Sequence, residues 1–208
     1  MEYTTIAIDL GHCETAATLP IQPMVNDTRY KVHRMDFEDK NHILLTQLIL
    51  TDEQMEKLSE ELRPSYEKLS QLGEIKIGNE LSPYVPNGEK FSYFKVPPKD
   101  FDKPYGNKAA AKRYGITHGQ LMACFIFALL QTLFKYNRDF LGSTRQKDVV
   151  LLIGCPTTKD WTDKQAQLSY AGLIQKATNV REVRIIPDPV ALPPAVTKFD
   201  RTAESPME

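Results

Sequence analysis

Asp9 stands inside the apolar run Tyr3–Leu10 (YTTIAIDL), two positions ahead of Gly11. A carboxylate in a strand built for burial is unfavourable unless a donor, a cation or a metal meets it, so its place needs a chemical reason. Glycine two residues on lets backbone N–H groups approach an anion, and a tip made of Gly11, His12 and Cys13 has the form of a phosphate cradle. The plainer alternative is an Asp that caps its own turn. His12 and Cys13, with Cys155, offer the imidazole and thiolate that suit zinc, but three such groups without a common spacing do not define a site. Cys155 would be a nucleophile only with a base beside it, and no histidine lies close in sequence. Cys13, Cys124 and Cys155 lack CxxC spacing and read as free thiols.

Elements must hold these residues, and the hydrophobic pattern supplies them. Tyr3–Leu10 reads as a buried strand stopped by the Gly11 turn, with AATL returning as the second arm of a hairpin. Tyr30–Phe37 and His42–Leu50 are further strand candidates. Thr51 with Gln54 forms a capping box, and Met55, Leu58, Leu62, Tyr66, Leu69 and Leu72 follow at helical spacing, with Pro64 expected to split the helix. Glu74–Ile77 returns to strand chemistry. A loop-rich excursion, Ser82–Lys108, follows with one strand expected near Phe91–Val96.

The second half is more regular. Thr117 and Gln120 make another capping box, opening an apolar helix expected to run to Leu141 and to pack on the sheet through Phe125. Val149–Ile153 is a continuous apolar run, the pattern of a strand covered on both faces. Thr162 and Gln165 give a third capping box before a helix carrying Ala166, Tyr170, Leu173, Ile174 and Ala177. Val183–Ile186 is the next strand. Helix, strand, helix, strand in this order builds an α/β layer with parallel strands.

The 208 residues are 41% hydrophobic, enough for a sizeable core, and 26 basic against 27 acidic residues leave no global field to recruit nucleic acid or an anionic membrane. Met122–Phe134 is shorter than the ~20 residues of a bilayer span and reads as a buried helix. The N-terminus has no secretory pattern, so a cytoplasmic location is expected. Lys99–Arg113, with Tyr105 and Tyr114 interleaved, reads as a solvated face rather than a nucleic-acid contact. Trp161 reads as a packing anchor.

Four stretches, in order, carry a resemblance. IAIDLGHCET resembles the first phosphate-binding hairpin of the superfamily of actin, sugar kinases and the seventy-kilodalton heat-shock chaperones. EIKIGNEL resembles the chaperone segment that ends an early β excursion. DVVLLIGCPTTKDWTDKQAQLSYAGLIQKA resembles the strand, proline turn and helix after their long central helix, and VREVRIIPDPVALPPA resembles their next strand and Glu-Pro segment. The resemblance implies an α/β, ribonuclease-H-like (actin-like ATPase) lobe formed by residues 1–36 and 116–197, an inserted small α+β subdomain at 37–115 and a flexible tail at 198–208.

It also implies roles. Asp9 would orient the water shell of a magnesium ion, while the backbone of Gly11, His12 and Cys13 would grip the phosphates of ATP. Pro156 and Asp188 would form a relay from nucleotide to surface. Lys95, with Lys90 as the other candidate, would supply the lysine near the terminal phosphate. The chain departs from the family at His12 and Cys13, which replace two hydroxyl residues, and in the Thr51–Leu72 helix pair, which looks like an insertion. The sequence has no Gly-Gly pair for the phosphate loop of a second lobe. ATP and magnesium are therefore expected to bind only when a second lobe or partner chain completes the cleft, and the chain alone is expected not to hydrolyse ATP; client proteins are possible partners. The alternative is a non-catalytic protein-interaction module on the same fold that has lost nucleotide binding.

Overall fold

The computed structural model describes residues 3–21, 31–37, 41–78, 88–106 and 108–187. Asp188, everything after it including the expected tail, and residues 82–87 of the loop-rich excursion lie outside the described residues.

Strand β1 (Thr4–Leu10) turns into β2 (Glu14–Ile21), followed by β3 (Lys31–Arg34), β4 (Leu44–Leu45) and β5 (Gln47–Thr51). Helices α1 (Asp52–Ser59) and α2 (Tyr66–Ser70) lead to β6 (Lys76–Ile77) and β7 (Gly88–Ser92). Helix α3 (Ala109–Tyr114) precedes the long α4 (His118–Tyr136) and the short α5 (Arg138–Leu141). Then come β8 (Val149–Cys155), α6 (Lys159–Thr162), α7 (Lys164–Thr178) and β9 (Glu182–Pro187).

The chain is mixed α/β. Its main sheet has the order β3-β2-β1-β8-β9, with β4 also paired to β2. β2 runs antiparallel to β1 and β3, whereas β1, β8 and β9 are mutually parallel, as the helix and strand order of the second half requires. A small antiparallel sheet, β6-β5-β7, lies with α1, α2 and α3 between residues 37 and 115. This stretch is also stitched into the main sheet, because β4 pairs with β2 through Glu14↔Leu45 and Thr15↔Leu44.

One continuous core joins the layers. Ile6, Ile8 and Leu10 of β1 and Val149, Leu151 and Ile153 of β8 belong to one buried cluster with Phe125 and Leu129 of α4, Ile174 of α7 and Phe91 of β7. Thirteen residues of α4 are buried. At 19 residues α4 is long and apolar enough, by length and composition alone, to cross a membrane, contrary to the expectation from Met122–Phe134; 72% of its apolar window is nevertheless covered by the rest of the fold.

Local chemistry fixes the helix ends. The capping boxes at Thr51–Gln54 and Thr117–Gln120 are both formed. Each glutamine also ties down a neighbour: Gln54 Nε2 donates to the Leu72 and Glu74 carbonyls, and Gln120 Nε2 to those of Leu58 and Glu61. Pro64 separates α1 from α2 as expected. The third box is not formed. Thr162 is the last residue of α6 and its hydroxyl donates to the Thr158 carbonyl, so Asp163 caps α7 instead, accepting from the Gln165 and Ala166 N–H groups.

Three other expectations are corrected. The helix expected to reach Leu141 breaks at Asn137, whose buried side chain accepts the Asp36 N–H at 2.8 Å and donates to the Asp36 and Leu133 carbonyls. His42–Leu50 is two strands in different sheets. Thr46 interrupts it, giving its N–H to the Cys13 carbonyl at 2.8 Å and sharing a hydroxyl bond of 2.9 Å with Thr15. The strand near Phe91 begins at Gly88 and stops at Ser92, because Tyr93 takes φ 56° and turns the chain.

Candidate functional site

Register places the site. Ile8 lies opposite Ile153 and Cys155 opposite Pro187, so β1, β8 and β9 finish together at one end of the sheet. The carboxyl ends of neighbouring parallel strands are where ligands of open α/β sheets gather. Asp9 is at this end, and its side chain is exposed rather than buried. The alternation that buries Ile8 and Leu10 turns Asp9 to the opposite face, so it needs no buried partner and is open to solvent ions.

The tip is closed tightly. Gly11 donates its N–H to the Glu14 carbonyl at 2.9 Å, and a Cβ at Gly11 would stand 2.5 Å from that same oxygen. Glycine is therefore required by close backbone approach inside the turn, and its N–H is already engaged. His12 and Cys13 are exposed, and among the described residues no backbone carbonyl accepts from their N–H groups. The cradle for an anion thus reduces to two adjacent amides. The Thr46 contacts to Cys13 and Thr15 hold this tip from the side of the small sheet.

Lys95 lies behind the tip. It is buried at 5% exposure, and its ammonium donates to the carbonyl of Leu10, the last residue of β1. The same Nζ stands 5.3 Å from the centroid of the Trp161 ring. A cation over an indole is favourable, and more so when removed from water. Trp161 in turn packs edge-on against Tyr170, and its carbonyl lies 4.0 Å from Cys155 Sγ. Pro156, half-buried, follows directly. Lys90, the other lysine candidate, is exposed on β7 opposite Ile49.

The structure thus gathers Asp9, Gly11, His12, Cys13, Lys95 and Pro156 at one end of the sheet, while Asp188 lies outside the described residues. Lys95 is directed at backbone and indole, which makes it a group that positions the end of β1. Two features escape the sequence reading. Trp161 is the platform that receives Lys95 as well as a packing anchor, and Tyr93, 65% exposed, takes the left-handed conformation just before Phe94 and Lys95 turn inward. The only sequence signal for the first is a lone tryptophan soon after Cys155–Pro156; the second has none.

The residues present fit magnesium in one way only. Among the described residues no group of three or more His, Cys, Asp or Glu could hold a metal ion, which argues against a cation caged by protein ligands and against the zinc alternative at His12 and Cys13. Magnesium that keeps most of its waters and is carried by phosphate oxygens needs a single accessible carboxylate, which Asp9 supplies. Within Lys99–Arg113 three lysines are in ion pairs, Lys99–Asp160, Lys103–Asp100 and Lys108–Glu89, while Tyr105, expected on a solvated face, is buried and its hydroxyl donates to the Ser92 carbonyl.

The chain matches no model of a known protein family and no curated protein.

Proposed function

We propose that this chain is the phosphate-binding lobe of an ATPase-like unit of the actin, sugar kinase and heat-shock chaperone type, competent for ATP and magnesium when a second lobe or partner chain closes over it. The observation that carries this reading is the convergence at the ends of β1 and β8: an accessible Asp9, a three-residue tip with two amides that no backbone carbonyl accepts among the described residues, and the Lys95 ammonium behind it. The sheet order β3-β2-β1-β8-β9, with the hairpin beside the strand that follows the long helix, agrees with a ribonuclease-H-like lobe.

In this reading bound magnesium neutralises phosphate charge. The chain's own residues do the rest on one wall of the cleft. The His12 and Cys13 amides would donate to phosphate oxygens and Asp9 would hold the hydrated magnesium, while Lys95 fixes the β1 end and adds positive charge behind it. Phosphoryl transfer needs groups around the whole phosphate, so one wall binds weakly and does not turn over. Affinity in the millimolar range or weaker follows for the chain alone.

Titration of the isotopically labelled chain with ATP and magnesium tests this. Amide shifts centred on residues 11–15 and around Lys95, reduced by Asp9→Asn, are the expected result. Shifts centred elsewhere, or none, would remove the nucleotide and leave the interaction-module reading in its place.

A further inference from the structure

Tyr93 stands against local preference in both its backbone and its side chain. Strand β7 buries Phe91 completely, so alternation would carry Tyr93 to the same inner face. Instead Tyr93 takes φ 56°, turns its ring out to 65% exposure, and lets two consecutive residues, Phe94 and Lys95, enter the core. A bulky residue in the left-handed region is unfavourable, and glycine or asparagine would make the same turn at less cost. The fold makes no use of the ring: among the described residues no aromatic group stacks on it and no cation lies over it.

Its neighbours hold it in this conformation. The Ser92 carbonyl accepts the Tyr105 hydroxyl at 2.8 Å, and the Phe94 carbonyl lies 3.2 Å from His118 Nδ1. The Phe94 ring packs against Phe125, and Lys95 bonds the Leu10 carbonyl. Backbone strain persists where the surroundings over-determine it, and it clusters where ligands are held. The same contacts put Tyr93 beside the hairpin tip. Ser92 pairs with Gln47, whose neighbour Thr46 gives its N–H to the Cys13 carbonyl, while Lys95 reaches Leu10 at the other side of the tip. Two strand spacings, about 10 Å, thus separate the Tyr93 backbone from that of Cys13.

We propose that the Tyr93 ring is a stacking platform for the base of a nucleotide whose phosphates lie at the tip, so that the ligand of this site is a nucleoside triphosphate rather than an inorganic polyphosphate. This role, which rests on the phosphate-site reading above, adds a base contact from the same lobe. The ribose of a nucleotide separates base from phosphates by a length comparable with that backbone spacing. A phenol ring offers a flat apolar face that stacks on any base, and fixed neighbours on both sides lower the cost of ordering it.

Titration of the 208-residue chain with magnesium tripolyphosphate and, separately, with magnesium ATP tests this by NMR. Both ligands are expected to shift amides 11–15. Only ATP is expected to move the Tyr93 ring protons, upfield as a stacked base requires, and to bind about fivefold tighter, the lower end of what base–aromatic stacking supplies. Tyr93→Gly, which suits the left-handed turn and so keeps the fold, is expected to bring ATP down to the affinity of tripolyphosphate. Tyr93→Phe is expected to keep the preference. Tip shifts with an unmoved Tyr93 ring, or equal affinity for the two ligands, would overturn the platform and leave the phosphate site standing. So would a preference for ATP that survives in Tyr93→Gly, or a parallel loss of both ligands there, which marks a structural role. Absence of tip shifts with either ligand would remove the phosphate site and the platform together.

Discussion

The ammonium of Lys95 donates to the carbonyl of Leu10, across 85 residues of sequence, and so fastens the exit of β7 to the last residue of β1. The contact is buried, so removing the donor leaves a carbonyl without its partner in a place that water reaches poorly. Lys95→Met keeps most of the packing against Trp161 and deletes only the charge and the donor. It is expected to lower stability by roughly 1–3 kcal/mol, read as a reduced urea midpoint at unchanged slope. Unchanged or raised stability would show that desolvation of the ammonium outweighs its contacts.

Phe125 occupies the middle of α4 with no exposed surface, its ring centroid 5.5 Å from that of Phe94. It joins the long helix to the segment that delivers Lys95. Phe125→Ala is expected to cost about 3–5 kcal/mol, because the cavity left between rigid elements cannot collapse fully. Equilibrium unfolding checks this; a loss well under 1 kcal/mol would mean the neighbours repack freely.

Elements governed by neighbours in sequence are legible before any coordinates. Thr51–Gln54 and Thr117–Gln120 form their boxes because donors and acceptors lie within one turn, and Pro64 splits a helix through its own ring. The parallel pairing of β8 with β1 and β9 follows from a continuous apolar run placed between helices. What the sequence does not contain is which face a further layer covers. The alternation of Ile6, Ile8 and Leu10 puts Asp9 on the opposite face, but whether that face is wet is a tertiary fact. Likewise Thr46 breaks His42–Leu50 only because Cys13 and Thr15 lie beside it in space, and Thr162 yields its cap to Asp163 because α6 has already taken its backbone. The site itself was partly visible: the Asp9–Cys13 tip is local, whereas the partner of Lys95 lies far away in sequence.

His118 opens α4 half-buried, with Nδ1 3.2 Å from the Phe94 carbonyl. Burial pushes its pKa below the ordinary 6.5; the Phe94 carbonyl and Asp100 oppose this and Lys103 adds to it. A histidine whose folded pKa lies below its unfolded one binds more protons when unfolded, so its contribution is complete above 6.5 and declines as the pH falls from 6.5 toward the folded value. Asp100, held low by the Lys103 ammonium that bonds it, acts in a separate and more acid window below its usual 3.8. Urea unfolding at several pH values between about 7.5 and 5.5 should show falling stability, with a shallower fall in His118→Asn. An identical slope in the variant would assign the dependence to another group.

Cys13 is exposed at the hairpin tip, while Cys124 and Cys155 have no exposed surface. Burial pushes the Cys124 thiol far above its ordinary range, so it stays protonated and inert at neutral pH. An aromatic disulfide reagent is therefore expected to modify one thiol quickly in the native chain and all three in urea. Because Cys13 contributes one of the two amides of the proposed phosphate site, ATP with magnesium should slow its modification, and should do so less in Asp9→Asn. Fast reaction of two or three thiols in the native chain would contradict the burial of Cys124 and Cys155. A rate at Cys13 indifferent to nucleotide, at concentrations where amide shifts at residues 11–15 are saturated, would place the bound phosphate away from the tip.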